Sequence, residues 1–162
     1  MIKFEKISES SFYRDIPDGN YGDIILPKRS TKNSAGYDFY SLYDIVIKPN
    51  ERIVIPTGIK VCMNENEFLG IYVRSSLGFK HNTRMCNQVG IIDADYYNNK
   101  DNEGHIFVCL QNESDNDVVI KKGDRFVQGI FQSFLITDDD STTISRKGGI
   151  GSTNNRGDED NE

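Results

Sequence analysis

The sequence predicts an all-β, mostly antiparallel fold with at most one short helix, and three observations predict it. Short segments rich in Val, Ile, Phe and Tyr recur between turn signals, and helical periodicity is almost absent. The composition agrees. Of 162 residues, 36% are hydrophobic and 27% charged, with 14 Gly and 8 Tyr, which suits a solvated β-rich fold or an oligomer better than a thick helical core. One domain is expected over residues 1–147, followed by a glycine-rich, acidic and mobile tail over 148–162.

Taken in order, the stretch around Ser8 to Asp15 spaces Phe12 and Ile16 to bury one side of a short helix. The strand segments follow: DIVIKP, ERIVIPTGIKVCM, FLGIYVRSS, GHIFVCLQN, DVVIKKGD and RFVQGIFQSFLIT, separated by PN, NEN and KKGD turns. In GHIFVCLQN, Ile106, Val108 and Leu110 alternate with His105, Phe107 and Cys109, so both faces are apolar and the strand is expected to be covered on both sides. His105 reads as a strand-end residue, and His81 stands alone in the polar FKHNTR segment.

Several function classes drop out. No run approaches the roughly 20 apolar residues of a membrane span, and MIKFEKISES lacks the order of a secretory signal, so a soluble cytoplasmic protein is expected. Cys62, Cys86 and Cys109 show no CxxC spacing and read as reduced structural thiols. Two isolated histidines offer no metal constellation, so no direct protein-ligated metal is expected. With 19 Lys+Arg against 25 Asp+Glu the net charge is −6, which argues against binding nucleic acid; any polyanion site must rest on local positive charge.

Four loops carry chemistry. RSSLG, Arg74 to Gly78, offers a guanidinium, two hydroxyls and backbone donors to an anion, although an ordinary polar turn has the same composition. GGIGST, Gly148 to Thr153, can wrap a phosphate but lacks the order of a P-loop. In NQVGIIDADYYNN, Asp93 and Asp95 flank Ala94; on an extended chain they point to opposite faces, so only one is expected to serve a site. SAGYDFYS places Gly36 before Tyr37 and Asp38, where the missing side chain permits close backbone approach.

In combination, SAGYDFYS, RSSLG, NQVGIIDADY, GDRFVQGI and GGIGST resemble, in order and approximate spacing, the motifs of the homotrimeric dUTP pyrophosphatases, the dUTPases. The resemblance spans Ile25 to Thr153. It implies a distorted jelly roll of the β-clip type, a homotrimer with active sites shared between subunits, and hydrolysis of dUTP to dUMP and pyrophosphate. That reaction keeps uracil out of DNA and supplies dUMP for thymidylate synthesis. Asp93 matches the family's catalytic aspartate, which directs water at the α-phosphorus. Arg74, Ser75, Ser76 and Gly78 match its phosphate loop, and Gln128 reaches the α-phosphate region or a metal-bound water.

The resemblance further implies that Asn87, Gly90 and Ile92 lie on a hairpin that reads uracil, with Tyr96 packed under the deoxyribose. Arg146 and the segment Gly149, Ile150, Gly151 and Ser152 would hold the terminal phosphate and close the site, while Asp38 and Asp124 support it by hydrogen bonds. One Mg2+ is expected, held by phosphates and water. The chain departs from the pattern in three places: Ile150 replaces an aromatic, YYNNKDNEGH inserts polar residues after Tyr96, and the region before the first motif is long. The insertion is expected to form an exposed loop. Alternatives with the same apparatus are a dCTP deaminase, which needs a glutamate base that the third motif lacks, and a nucleotide-binding regulatory trimer.

Overall fold

A computed structural model describes residues 1–144, 146 and 148–150. The described chain is mostly β-strand, as the alternating pattern predicts. Its elements begin with β1 (Lys3–Lys6), α1 (Glu9–Asp15), β2 (Lys28–Arg29), β3 (Tyr37–Tyr40), β4 (Ile45–Ile47), β5 (Arg52–Pro56) and β6 (Ile59–Cys62). They continue with β7 (Glu67–Val73), α2 (Ser75–His81), β8 (Thr83–Met85), β9 (Gly90–Asp93), β10 (Phe107–Asn112), β11 (Val118–Ile120) and β12 (Arg125–Ser133). The largest sheet has five strands in the order β2-β3-β12-β7-β9. Every pairing in the sheets is antiparallel.

That order positions the chemistry, because β12 lies between β3 and β7 and so brings the first, second and fourth motifs together. Asp38 faces Gln128 in register across β3 and β12, and Val73, next to Arg74, faces Val127 across β12 and β7. β9 pairs with the other edge of β7, with Asp93 opposite Phe68. Between the sheets, Phe39, Ile55, Leu69, Leu110 and Phe126 are fully buried. Burial of such side chains is worth about 1.5–3 kcal/mol each and supplies the main force holding the layers.

The first helix forms where its spacing predicts. Ser8 caps it by accepting from the Ser11 amide, and Phe12 and Ile16 are buried. A second short helix, α2, corrects the expectation of at most one. RSSLG has the composition of a polar turn, yet Ser75–His81 is helical with Leu77 its buried residue. A single apolar anchor leaves no periodic stripe for the sequence to display. Asn82, left-handed at φ 46°, ends the helix.

His105 sits just before β10 and is fully buried, as its strand-end reading requires. Its Nε2 accepts from the Gly58 amide at 2.9 Å, so Nδ1 carries the proton and donates to Asp15 at 2.7 Å. Burial lowers its pKa, with Asp15 opposing. The three cysteines are free thiols. Cys109 donates to Cys86 across β10 and the end of β8 at 3.0 Å, and burial first, then that bond, pushes Cys109 up to about 11.

Candidate active site

Two clefts gather most of the candidate residues, and no residue lines both. The first, about 230 Å3, is bounded by Asn87, Gly90, Ile92, Asp93, Tyr96, Arg146 and Ile150, with Ile71 and Phe107 behind them. β9 supplies its wall. The strand ends at Asp93 because the chain turns at once into a one-turn 3-10 segment, Ala94–Tyr96.

That turn overturns the expected separation of the two aspartates. Alternation holds only on an extended chain, whereas the turn at Ala94 brings both carboxylates to one guanidinium. Arg146 donates through Nη2 to Asp93 at 2.6 Å and through Nε to Asp95 at 2.8 Å. Burial works against the Arg146 charge, but Asp95 and Asp93 outweigh it and raise its pKa. The same guanidinium lies 5.7 Å from the centroid of the Tyr96 ring.

Tyr96 itself is buried, its hydroxyl donating to the His105 carbonyl at 3.0 Å and accepting from Asn102 Nδ2 at 2.7 Å. Burial raises its pKa above the usual phenol range. The ring therefore forms a fixed apolar floor with no free hydroxyl.

The second cleft, about 270 Å3, is lined by Arg74, Ser76, His81, Asp124 and Arg125, with Leu77, Val119 and Ile120 behind them. Its cations are organised by one acid. Asp38, only 7% exposed in its side chain, is ion-paired with Arg74 at 2.9 Å and accepts from Arg125 at 3.3 Å and from the Ser30 hydroxyl at 2.5 Å. Such charge-assisted contacts orient the two guanidinium planes. Asp124 holds its own turn by accepting from the Lys121 amide at 2.8 Å.

Other candidates fall outside these linings. Ser75 and Gly78 lie on α2 but line neither cleft, and Gln128 points its amide to the Val73 carbonyl at 3.5 Å. Gly151 and Ser152 lie outside the described residues. Sequence reasoning missed Arg125, although its place directly after Asp124 in GDR was the available signal. It also missed Asp101 and Asn102 in the insertion. Asp101 accepts from the Gly149 amide at 2.8 Å, so the insertion reaches the closing segment.

A donor set for metal is a separate matter. Among the described residues no group of three or more His, Cys, Asp or Glu side chains could hold an ion. Asp38 spends its oxygens on Arg74, Arg125 and Ser30. These residues fit an ion that arrives on phosphate oxygens and keeps its waters. Among the described residues no helix is long and apolar enough to cross a membrane.

Comparison with known proteins adds the following. The dUTPase family profile matches residues 22–154. The deoxyuridine 5'-triphosphate nucleotidohydrolase of Lactococcus lactis subsp. lactis is 48% identical over 132 residues, 80% of this chain and 88% of its own. A crystal structure of dUTPase from Streptococcus mutans superposes with a TM-score of 0.70 at 40% identity, covering 83% of this chain and 98% of its own. A dUTPase from phage phi11 of S. aureus, with a structural Mg(II) ion, shares the fold at a TM-score of 0.67 and 19% identity, covering 89% and 97%.

Proposed function

The chain belongs to the dUTPase family and hydrolyses dUTP, and we propose that Asp93 directs the attacking water while the two clefts divide base from phosphates. The carrying observation is the convergence of Asp93, Tyr96, Asn87, Gly90 and Ile92 on one cleft. A hairpin edge of backbone donors and acceptors discriminates uracil from cytosine, because the wrong base leaves buried groups unpaired. Close walls at Gly90 and Ile92 exclude a thymine methyl, and the Tyr96 ring packs under deoxyribose with no room for a 2′-hydroxyl.

At the reacting end, the Asp93 carboxylate accepts a hydrogen bond from water, aims its oxygen at the α-phosphorus and takes its proton. Arg146 now occupies that carboxylate. A triphosphate offers the guanidinium a denser negative partner, so binding transfers Arg146 to the terminal phosphate and releases Asp93 to the water. Arg74, Ser75, Ser76 and Gly78 hold the phosphates nearest the scissile bond, Gln128 reaches the α-phosphate region, and Asp38 and Asp124 keep this phosphate loop in place. Gly149, Ile150, Gly151 and Ser152 complete the closure, Ile150 as an apolar cover for the base.

Mg2+ carried by the phosphates would neutralise their charge, with Gln128 reaching toward its waters and Asp38 supporting the site by holding Arg74 and Arg125. The complete site, on this reading, draws the base and phosphate clefts from neighbouring subunits of a homotrimer, a division supported by their having no lining residue in common. Exposed apolar side chains on strands, among them Val46, Val54, Ile91 and Val119, support such burial between copies. The reaction takes place in the cytoplasm on this reading.

The test is release of pyrophosphate from dUTP, dCTP, dTTP and UTP with Mg2+. Turnover is expected for dUTP alone, and Asp93→Asn should lower kcat by about 10²–10⁴. Undiminished turnover by that variant would overturn the role of Asp93.

A further inference from the structure

We propose that the inserted loop, residues 97–104, is a dock for the C-terminal segment, and that Asp101 is its positioning residue. This rests on the dUTPase reading of the cleft, because the docked segment carries Arg146 and Ile150. Composition alone makes the insertion look like solvated decoration. Its hydrogen bonds show otherwise.

The loop is pinned at its base. Glu103 accepts from the Ser8 amide through both oxygens at 3.1 Å, from the Ser8 hydroxyl at 2.7 Å and from Lys60 at 2.6 Å. Lys60 also donates to Asn98 at 2.8 Å. Gly104 closes the loop at φ +81°, where a side chain would meet the Tyr96 carbonyl at 2.8 Å. Asn102 bridges the interior, accepting from Asn99 at 2.8 Å and from the Gly104 amide at 3.1 Å while donating to the Tyr96 hydroxyl. A loop wired in this way presents its tip in one place.

At that tip the Asp101 carboxylate receives the Gly149 N–H at 2.8 Å. The approach is close: a Cβ on residue 149 would come within 3.2 Å of the Asn102 amide nitrogen, which would have to give by a few tenths of an ångström. Gly149 lies between the two residues that line the base cleft, Arg146 on Asp93 and Ile150 at its wall. That one bond anchors Gly149 beside Ile150. Asp101 lies outside the lining of the base cleft; it orders the segment that contributes Arg146 and Ile150 to that lining, so part of the entropy of closure is spent before substrate arrives.

The experiment uses the full chain with Asp101→Ala, Asp101→Asn and, as a control, Lys100→Ala, an exposed neighbour on the same loop. Two readouts are taken: kcat and KM for dUTP, and the rate of tryptic cleavage after Arg146 and Lys147 under native conditions. Asp101→Ala is expected to raise KM about tenfold and to speed cleavage similarly, with kcat and melting temperature held. Asp101→Asn keeps an acceptor oxygen and should restore part of both, and Lys100→Ala should match the parent. Unchanged cleavage and KM in Asp101→Ala would overturn the proposal, as would a fall in kcat and melting temperature with KM unchanged, or an equal effect from Lys100→Ala. If the parent fails to hydrolyse dUTP, the functional reading fails while the cleavage rates still decide whether the dock exists.

Discussion

At the scale of single residues, His105 is a buried titratable group whose partners fix its tautomer. Burial, outweighing Asp15, lowers its pKa below the ordinary 6.5. The unfolded chain therefore takes up a proton before the folded one does as pH falls, so the stability His105 contributes is whole above about pH 6.5 and declines below it. Glu103 adds a second, lower window. Burial pushes its carboxyl up, but Lys60 and Ser8 prevail and hold it at about 2, so its contribution is present above 4.5 and lost as pH falls toward about 2. Urea midpoints measured across pH should stay flat between about 6.5 and about 8, below the range where the raised Cys109 thiol and Tyr96 phenol begin to cost stability, and fall in these two stages on the acid side. His105→Gln, which can still accept from Gly58 and donate to Asp15, should remove the upper stage alone.

Elements differ in how plainly the sequence announces them. β10 was legible as a strand, but it is not covered on both sides as expected: Val108, Leu110 and Asn112 are buried while Phe107, Cys109 and Gln111 are half-buried, and in β12 the adjacent buried Phe126 and Val127 break the alternation at a register shift. The unbroken ERIVIPTGIKVCM segment instead divides into β5 and β6 at Thr57 and Gly58, where the Thr57 hydroxyl bonds the Ile106 carbonyl, a contact 49 residues away that no local pattern records. α2 was hidden because its one apolar anchor, Leu77, leaves no periodic stripe, and the shared orientation of Asp93 and Asp95 was hidden by one turn at Ala94. The candidate residues on β9 and in RSSLG were legible from their motifs, whereas their division between two clefts is a property of the sheet order. β12 ties that order together through Phe126, which is buried and accepts from the Arg74 amide through its carbonyl at 3.4 Å. Phe126→Ala should cost about 3–5 kcal/mol by denaturant unfolding.

For the whole molecule, the proposed division of the site between copies makes a claim that mutation can separate. Asp93→Asn and Arg74→Ala should each be inactive alone. Refolded together in equal amounts they should recover about a quarter of parental activity, the share of sites that random assembly leaves with both residues intact. Recovery of none would place both residues in the same subunit's site. The pairing of Arg74 and Arg125 on the lone Asp38 has a reach beyond that site. A highly anionic nucleotide meets a protein of charge −6 from afar and two guanidinium groups only on arrival. Moderate salt, with a screening distance of about 8 Å, quenches the distant repulsion before it weakens the sheltered attraction, so capture should quicken as ionic strength first rises, opposite to the behaviour of a basic polyanion binder.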